Sequence, residues 1–68
     1  MNDIGVSRMM LDQAWRTGGE LMVEKACESM TIDRLNAIVT DTVFAMASGE
    51  RGTPAWLRTA ERVLDARR

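Results

Sequence analysis

The stretch Ser48-Gly49-Glu50-Arg51-Gly52-Thr53-Pro54-Ala55-Trp56-Leu57 decides the fold, because it predicts the end of one helix, a short turn and the start of another. Gly49 and Gly52 suit the positive φ angles that close a helix. Thr53 can accept hydrogen bonds from the first N–H groups of the next helix, and Pro54 suits its first position. The sequence therefore predicts a helical hairpin in the C-terminal half.

Apolar residues recur at helical spacing on both sides of this turn. Before it, they predict a helix from about Ile32 to Ser48, with an apolar surface wide enough to be buried on more than one side. After it, they predict a helix from Pro54 to about Ala66. Its apolar stripe consists of Trp56, Leu57, Ala60, Val63 and Leu64.

A further helix is predicted from about Ser7 to Met30, interrupted at Gly18-Gly19. Each glycine costs about 1 kcal/mol relative to alanine inside a helix. Thr17 and Glu20 have the spacing of a capping box, which favours a restart, but the glycines could also permit close packing. The sequence predicts one all-α domain over residues 1–68, with three helices, the first of them kinked or split at Gly18-Gly19 or continuous through it. The apolar stripe of this first helix is Met10, Leu11, Ala14, Trp15, Leu21, Met22, Ala26 and Met30.

Length and composition point to a small globular protein that gains stability from partners. The chain has 68 residues, 46% of them apolar and 28% charged, which is typical of folded rather than disordered chains. A core of this size gives only marginal stability. The single Cys cannot form an internal disulfide, and without His the chain lacks the commonest metal ligand. We therefore expect a homo-oligomer, a dimer or larger.

No apolar run is long enough for a membrane span or a signal-peptide core, and the N-terminal residues lack the basic region of a signal. We expect a cytoplasmic protein with no membrane partner; for a phage protein this would be the host cytoplasm. The net charge of −1 argues against a general nucleic-acid coat.

Catalysis is not expected, because a nucleophile needs an activating base and the chain has no His. Cys27 follows Ala26 in a helical stretch, which favours a buried structural thiol. No set of residues forms a catalytic or metal-binding pattern. We expect no enzymatic activity, no metal, no cofactor and no small-molecule substrate.

Glu20, Glu24 and Glu28 recur every four residues and form an acidic row along one side of the first helix, where like charges repel. They are either a solvated face or a docking row for basic groups. Those groups would be Arg58 and Arg62 of the last helix, or the surface of a partner.

Arg51, Arg58 and Arg62 are the candidate nucleic-acid contacts, since Arg58 and Arg62 lie on one face of the last helix. The alternative is a self-compensated solvent face, because Glu61 and Asp65 each follow one of these arginines by three residues. Arg67 and Arg68 end the helix, where its dipole favours cations.

Six methionines and two tryptophans suggest a subunit interface, although core filling explains any one of them. The candidate interface residues are Trp15, Met22 and Trp56, together with the acidic row Glu20, Glu24 and Glu28.

The segment from Ser48-Gly49-Glu50 to Thr53-Pro54-Ala55, continued by apolar residues at helical spacing, resembles a motif of phage DNA maturases, the small terminase subunits of tailed phages. The continuing apolar residues are Leu57, Ala60, Val63 and Leu64, followed by Asp65. The resemblance covers the last third of the chain. It implies an oligomeric DNA-packaging adaptor that recognises phage DNA and passes it to a large, ATP-hydrolysing subunit.

The competing hypothesis is a small phage or mobile-element protein that binds and inhibits a host protein. It would use the acidic row and the Met/Trp surface. Both hypotheses describe a non-enzymatic binding protein, and they predict opposite behaviour toward DNA.

Overall fold

The computed structural model describes residues 3–49 and 52–68, which form three α-helices. Helix α1 runs Asp3–Glu28, α2 runs Ile32–Ala47 and α3 runs Leu57–Arg67. Each helix packs against the other two, and apolar side chains from all of them meet in one core. The predicted all-α fold with a hairpin of the last two helices is confirmed. The core consists of Leu11, Val23, Cys27, Leu35, Ile38, Val39, Trp56, Leu57, Ala60, Val63 and Leu64.

Helix α1 bends sharply at Gly19, whose φ of 65° and ψ of −146° are not helical. A straight helix of its 26 residues would be about 39 Å long. The longest dimension of the molecule is 28 Å, so the two parts of α1, residues 3–18 and 20–28, cannot be collinear. The sequence left open whether α1 is continuous through Gly18-Gly19, and the structure shows a kink at Gly19.

The bend also changes which side of α1 faces the core. Met22 lies eleven positions after Leu11, so a continuous helix would place both on the same face. Leu11 is fully buried, whereas Met22 and Leu21 are exposed and Val23 and Cys27 are buried instead. Beyond the glycines the predicted stripe is wrong for Leu21 and Met22, because the backbone at Gly19 breaks the helical period. Its last two members, Ala26 and Met30, do pack against the core.

The ends of α2 follow the sequence signals closely. Thr31 caps its start, with Oγ1 accepting a hydrogen bond of 3.1 Å from the backbone N–H of Arg34. At the other end Gly49 takes a φ of 75°, and its N–H donates to the carbonyl of Met46 at 3.0 Å. This is the glycine-closed helix end predicted for the turn.

Helix α3 begins three residues later than predicted, at Leu57 rather than Pro54. Thr53 does not cap it; the residue before the helix is Trp56, which makes no side-chain capping bond. Gly52 has no positive φ. The reason is packing: Trp56 is buried in the core, and the turn that places it there ends with the Leu57 N–H donating to the Pro54 carbonyl at 3.2 Å. Burial of the ring outweighs the local capping signal.

Candidate functional site

The most unusual property of the surface is the amount of apolar side chain on it. Within residues 3–49 and 52–68, nine large apolar residues are at least 38% exposed, although isolated exposed apolar residues are common on any protein. Here they cluster, which marks interaction sites more often than chance exposure does. They are Val6, Met9, Met10, Trp15, Leu21, Met22, Ile32, Val43 and Phe44.

The largest cluster lies on α1 and is called the α1 groove below. It has a volume of about 660 Å³ and takes residues from both sides of the bend. Gly18 permits its shape, since a Cβ atom there would collide with the side chain of Met22. The groove is lined by Val6, Met9, Met10, Gln13, Ala14, Thr17, Met22, Lys25 and Ala26.

A second cluster, the Phe44 surface, lies on α2 and consists of Val39, Thr40, Val43, Phe44 and Ala47. The only phenylalanine of the chain is 68% exposed there. The expectation that α2 is buried on more than one side is wrong for the single chain, because α1 and α3 cover only the side that carries Leu35, Ile38 and Val39. Val39 lies at the edge between the two sides, and beyond it Val43 and Phe44 are 44 and 68% exposed, with no cover from the described residues.

A third concave region brings Trp15 close to the start of α3. This groove of about 620 Å³ is lined by both Arg58 and Arg62, and also by Glu20 and Glu61. Its four charges therefore balance. Trp15, a predicted interface residue, is 38% exposed on its wall.

The structure brings the acidic row and α3 together through one arginine. The guanidinium of Arg62 lies 2.9 Å from Glu20 and 3.1 Å from Glu24. For these two carboxylates the predicted docking to α3 is confirmed, whereas Glu28 is exposed and makes no ion pair with a described residue. All three side chains of the bridge are substantially exposed, so we assign it little stability.

The candidate nucleic-acid contacts differ in availability. Arg62 is held by two carboxylates, and Arg58 is exposed and makes no ion pair or hydrogen bond within residues 3–49 and 52–68. Arg51 lies outside the described residues. The sequence predicted that Asp65 would neutralise Arg62 within α3. In the structure Arg62 pairs with two carboxylates of α1, and Asp65 lies 3.9 Å from Arg68.

Arg67 plays a role that the sequence did not indicate. Its Nη1 donates to the backbone carbonyls of Cys27 at 3.0 Å and Met30 at 2.6 Å. Cys27 lies in the last turn of α1, where helix geometry leaves carbonyls without intrahelical partners, and Met30 lies in the turn that follows. The Cys27 carbonyl also accepts from the Met30 N–H at 3.2 Å. Arg67 therefore ties the C-terminal ends of α1 and α3 together.

The predicted interface role of Trp56 is wrong for this conformation. Its side chain is 1% exposed, and its Nε1 donates a hydrogen bond of 2.7 Å to Oδ1 of Asp12. The ring fills the centre of the core, and the polar edge is satisfied by α1. Trp56 is therefore a structural residue, whereas Trp15 and Met22 remain at the surface.

Cys27 is the buried structural thiol that the sequence predicts, with no exposed surface. Burial raises the pKa of its thiol from 9.0 to about 11, against a smaller lowering effect of Arg67. A protonated, buried thiol is a poor nucleophile.

The Cys27 pKa predicts a loss of stability in alkaline solution. The unfolded chain releases the thiol proton near pH 9, and the folded chain only near pH 11. Between these values loss of the proton stabilises the unfolded state relative to the folded state, so the free energy of unfolding falls as the pH rises. Urea unfolding at pH 8 to 11 should show this decline reduced in Cys27→Ala, which shares every other titrating group. An identical decline in both proteins would contradict the assigned pKa.

Sequence reasoning missed Val6, Met9 and Phe44 as surface residues. For α1, the available signal was the group of apolar residues Val6, Met9 and Met10, which lie on a different face of the helix from Leu11. The predicted stripe placed Met10 together with Leu11, although Leu11 is buried and Met10 is 55% exposed.

The described residues give neither a membrane-spanning helix nor a cluster of metal ligands. None of its helices combines the length and apolar character needed to cross a bilayer. Residues 3–49 and 52–68 contain no group of three or more side chains placed to bind a metal ion. Comparison with families of known proteins, with curated individual proteins and with solved structures finds no match to this chain.

Proposed function

We propose that this chain is a non-enzymatic helical binding protein that works as an oligomer and attaches to a partner protein. The observation that supports this best is the pair of separate apolar surfaces, the α1 groove and the Phe44 surface, on different helices. An adaptor needs two such surfaces, one for its own copies and one for its partner. The DNA-packaging adaptor implied by the sequence resemblance is one protein of this kind.

The charged groups favour protein over DNA as the partner. A phosphate approaching Arg62 would compete with Glu20 and Glu24, which already hold its guanidinium. Nucleic-acid affinity comes mainly from arginines and lysines that are free to neutralise phosphates. A net charge of −1 gives little general attraction to DNA.

DNA binding is a second candidate function, supported by one specific observation. Arg58 is unpaired among the described residues and shares a groove with the half-exposed ring of Trp15. An arginine beside an aromatic ring suits a phosphate and an unpaired base. A gel shift with single- and double-stranded DNA at low salt tests this, and retention of binding by Arg58→Ala would exclude this site.

The partner-protein proposal is tested by affinity purification from the source organism with quantitative mass spectrometry. Phe44→Glu should abolish enrichment of a protein captured by the wild type, because it places a charge on the Phe44 surface. Ile32→Glu is the matched control, since Ile32 is also exposed on α2 but lies outside that surface. Equal enrichment by the wild type and Phe44→Glu would contradict the proposal.

Charge reversal of Glu28 tests whether a partner protein docks on the acidic row, as the host-inhibitor hypothesis predicts, or on the Phe44 surface. Glu28 is the acidic-row residue that makes no ion pair with the described residues. Loss of the partner with Glu28→Lys and not with Phe44→Glu would favour docking on the acidic row.

A further inference from the structure

Residues 3–18 are held in the fold by contacts with α2, α3 and the turn before α3. Three polar contacts join this segment to them, and Leu11 is fully buried in the shared core. The contacts are Arg34 Nη1 to Ser7 Oγ at 3.1 Å, Arg8 Nη1 to Asp41 Oδ2 at 3.1 Å and Trp56 Nε1 to Asp12 Oδ1 at 2.7 Å. None of these three contacts involves residues 20–28. The same segment from a second copy could therefore make all three.

A single residue, Gly19, forms the hinge between this segment and the rest of the chain. Within Asp3–Glu28 only Gly19 departs from helical backbone angles. No atom lies within 4 Å of a Cβ built on it, so the space beside the bend is open. A change of two backbone angles at this residue would make α1 one continuous helix. Short hinges between packed segments favour exchange of a segment between copies.

The apolar residues on either side of the hinge have the spacing of a straight helix. Leu11, Trp15 and Met22 are separated by four and seven positions, which places them on one face of a continuous helix. In the bent helix Leu11 is fully buried, whereas Trp15 is 38% and Met22 is 40% exposed. A straight α1 would bring both exposed residues into line with Leu11.

We propose that two copies of the chain exchange residues 3–18 as α1 straightens at Gly19, which forms a domain-swapped dimer. Straightening within one chain would dismantle its own core, and exchange rebuilds that core between two chains. The two straightened hinges lie beside the two-fold axis, where Trp15 and Met22 of one copy pack against the other. The inference specifies the self-association in the proposed function and rests on that function only for its biological purpose.

The site that residues 3–18 vacate selects a second copy as its occupant. It presents the guanidinium of Arg34, the carboxylate of Asp41 and the indole N–H of Trp56. An occupant must match these three groups and also fill the core, all from one helix. The matching groups are the hydroxyl of Ser7, the guanidinium of Arg8, the side chain of Leu11 and the carboxylate of Asp12. A second copy carries this arrangement by identity.

Exchange preserves the contacts of the core, so concentration and the hinge decide between monomer and dimer. A tethered segment has an effective concentration of about millimolar, so the wild type should be mainly monomeric at micromolar concentration. Gly19→Ala places L-alanine at a φ of 65° in the bent form and in an ordinary helix in the straight form. Because exchange relieves this strain in both copies, the variant should dimerise at least about tenfold more tightly than the wild type.

Sedimentation equilibrium of the full chain measures this shift. Gly19→Ala should move from a mass of 7.6 kDa toward twice that value as its concentration rises, and it should keep its helical circular dichroism. Gly52→Ala is the matched control, since Gly52 lies outside the helices and has no positive φ. This control should follow the wild type. A folded Gly19→Ala that dimerises no more tightly than Gly52→Ala would overturn the proposal.

Cross-linking between different chains distinguishes exchange from side-by-side association. Chains with Arg8→Cys and chains with Asp41→Cys, both carrying Gly19→Ala, are mixed in urea and refolded before a short bismaleimide is added. Arg8 and Asp41 contact each other across the hinge, so exchange places the two cysteines side by side in different chains. The mixture should therefore yield cross-linked heterodimers. Cys27 is buried, which leaves one reactive thiol in each chain.

Glu24 and Arg62 provide the matched control pair. They also form an ion pair, at 3.1 Å, but both lie after the hinge. A mixture of Glu24→Cys and Arg62→Cys chains should give no heterodimers, because each position keeps its partner within its own chain. If Gly19→Ala does not fold, the wild-type hinge is refolded at about millimolar protein for the same comparison. Equal yields from the two mixtures, or none from either, would overturn the exchange.

The outcomes for this inference and for the proposed function are separate. Heterodimers from the hinge-crossing pair without any partner capture would support the inference and count against the proposed partner. Phe44-dependent capture by a protein that gives no such heterodimers would overturn the inference and leave the binding function standing.

Discussion

Trp56→Ala is expected to unfold most of the protein at room temperature. Removing a large aromatic side chain from a core costs about 3–5 kcal/mol. The core of a chain this short supplies roughly the same amount, about 3–5 kcal/mol. Trp56 is 1% exposed and is the largest of the fully buried side chains among the described residues. The substitution therefore removes nearly all of the stability margin.

Two further variants separate the contribution of the buried Trp56 ring to this loss from that of its hydrogen bond to Asp12. Trp56→Phe keeps an aromatic ring in the core and removes the donor to Asp12. Asp12→Ala removes the acceptor and leaves the ring unchanged. A hydrogen bond to a charged group contributes about 1.5–3 kcal/mol, so both variants should be destabilised by less than Trp56→Ala.

Urea unfolding followed by circular dichroism measures all three variants, with added osmolyte for the least stable. The ring should matter more than the hydrogen bond. If Asp12→Ala is as destabilised as Trp56→Ala, the bond to α1 and not the buried ring holds the start of α3.

The boundaries of α2 show what the sequence predicts well. Thr31 and Gly49 act through bonds and backbone angles within a few residues of themselves. Such local signals do not depend on where the rest of the chain lies. The hairpin that follows from Gly49 was therefore predictable, and so was the all-α class.

The start of α3 shows why other features were not predictable. Thr53 and Pro54 form a good local capping signal, yet the helix begins at Leu57. The decisive contact joins Trp56 to Asp12, 44 positions earlier in the chain. The residues next to Trp56 in the sequence carry no information about this long-range contact.

The candidate surfaces also combine features that local sequence predicts with features that depend on long-range packing. The acidic row of α1 was visible in the spacing of Glu20 and Glu24, but only the packing of α3 against α1 shows that Arg62 bridges them. Likewise, Met9 and Phe44 have the composition of core residues. Their exposure depends on which helix faces the two neighbouring helices fill.

Gly19→Ala is expected to destabilise the fold through the backbone alone. The φ of 65° and ψ of −146° at Gly19 lie in a region that only glycine adopts readily, and placing another residue there costs about 1–3 kcal/mol. No atom lies within 4 Å of a Cβ built at this position, so steric contact with neighbours adds nothing. The loss measured by urea unfolding should fall in this range.

Helix straightening cannot relieve the strain in Gly19→Ala without dismantling the core. A continuous α1 of about 39 Å would exceed the 28 Å length of the molecule. It would also carry Val23 and Cys27 away from the positions that they occupy in the core. The same change would separate Met22 from the rest of the α1 groove.

A D-alanine at position 19, introduced by chemical synthesis, distinguishes strain from other effects of the added methyl group. The backbone angles of Gly19 are close to the mirror image of the polyproline II conformation, which L-residues adopt freely. D-alanine therefore fits this geometry and should stabilise the fold by about 0.4–1 kcal/mol, because it restricts the unfolded chain. Gly52→Ala is the second control, since Gly52 has no positive φ and no atom within 4 Å of the added carbon. Equal destabilisation by L- and D-alanine would show that the position excludes any side chain, and would contradict a bend held by the backbone angles of Gly19.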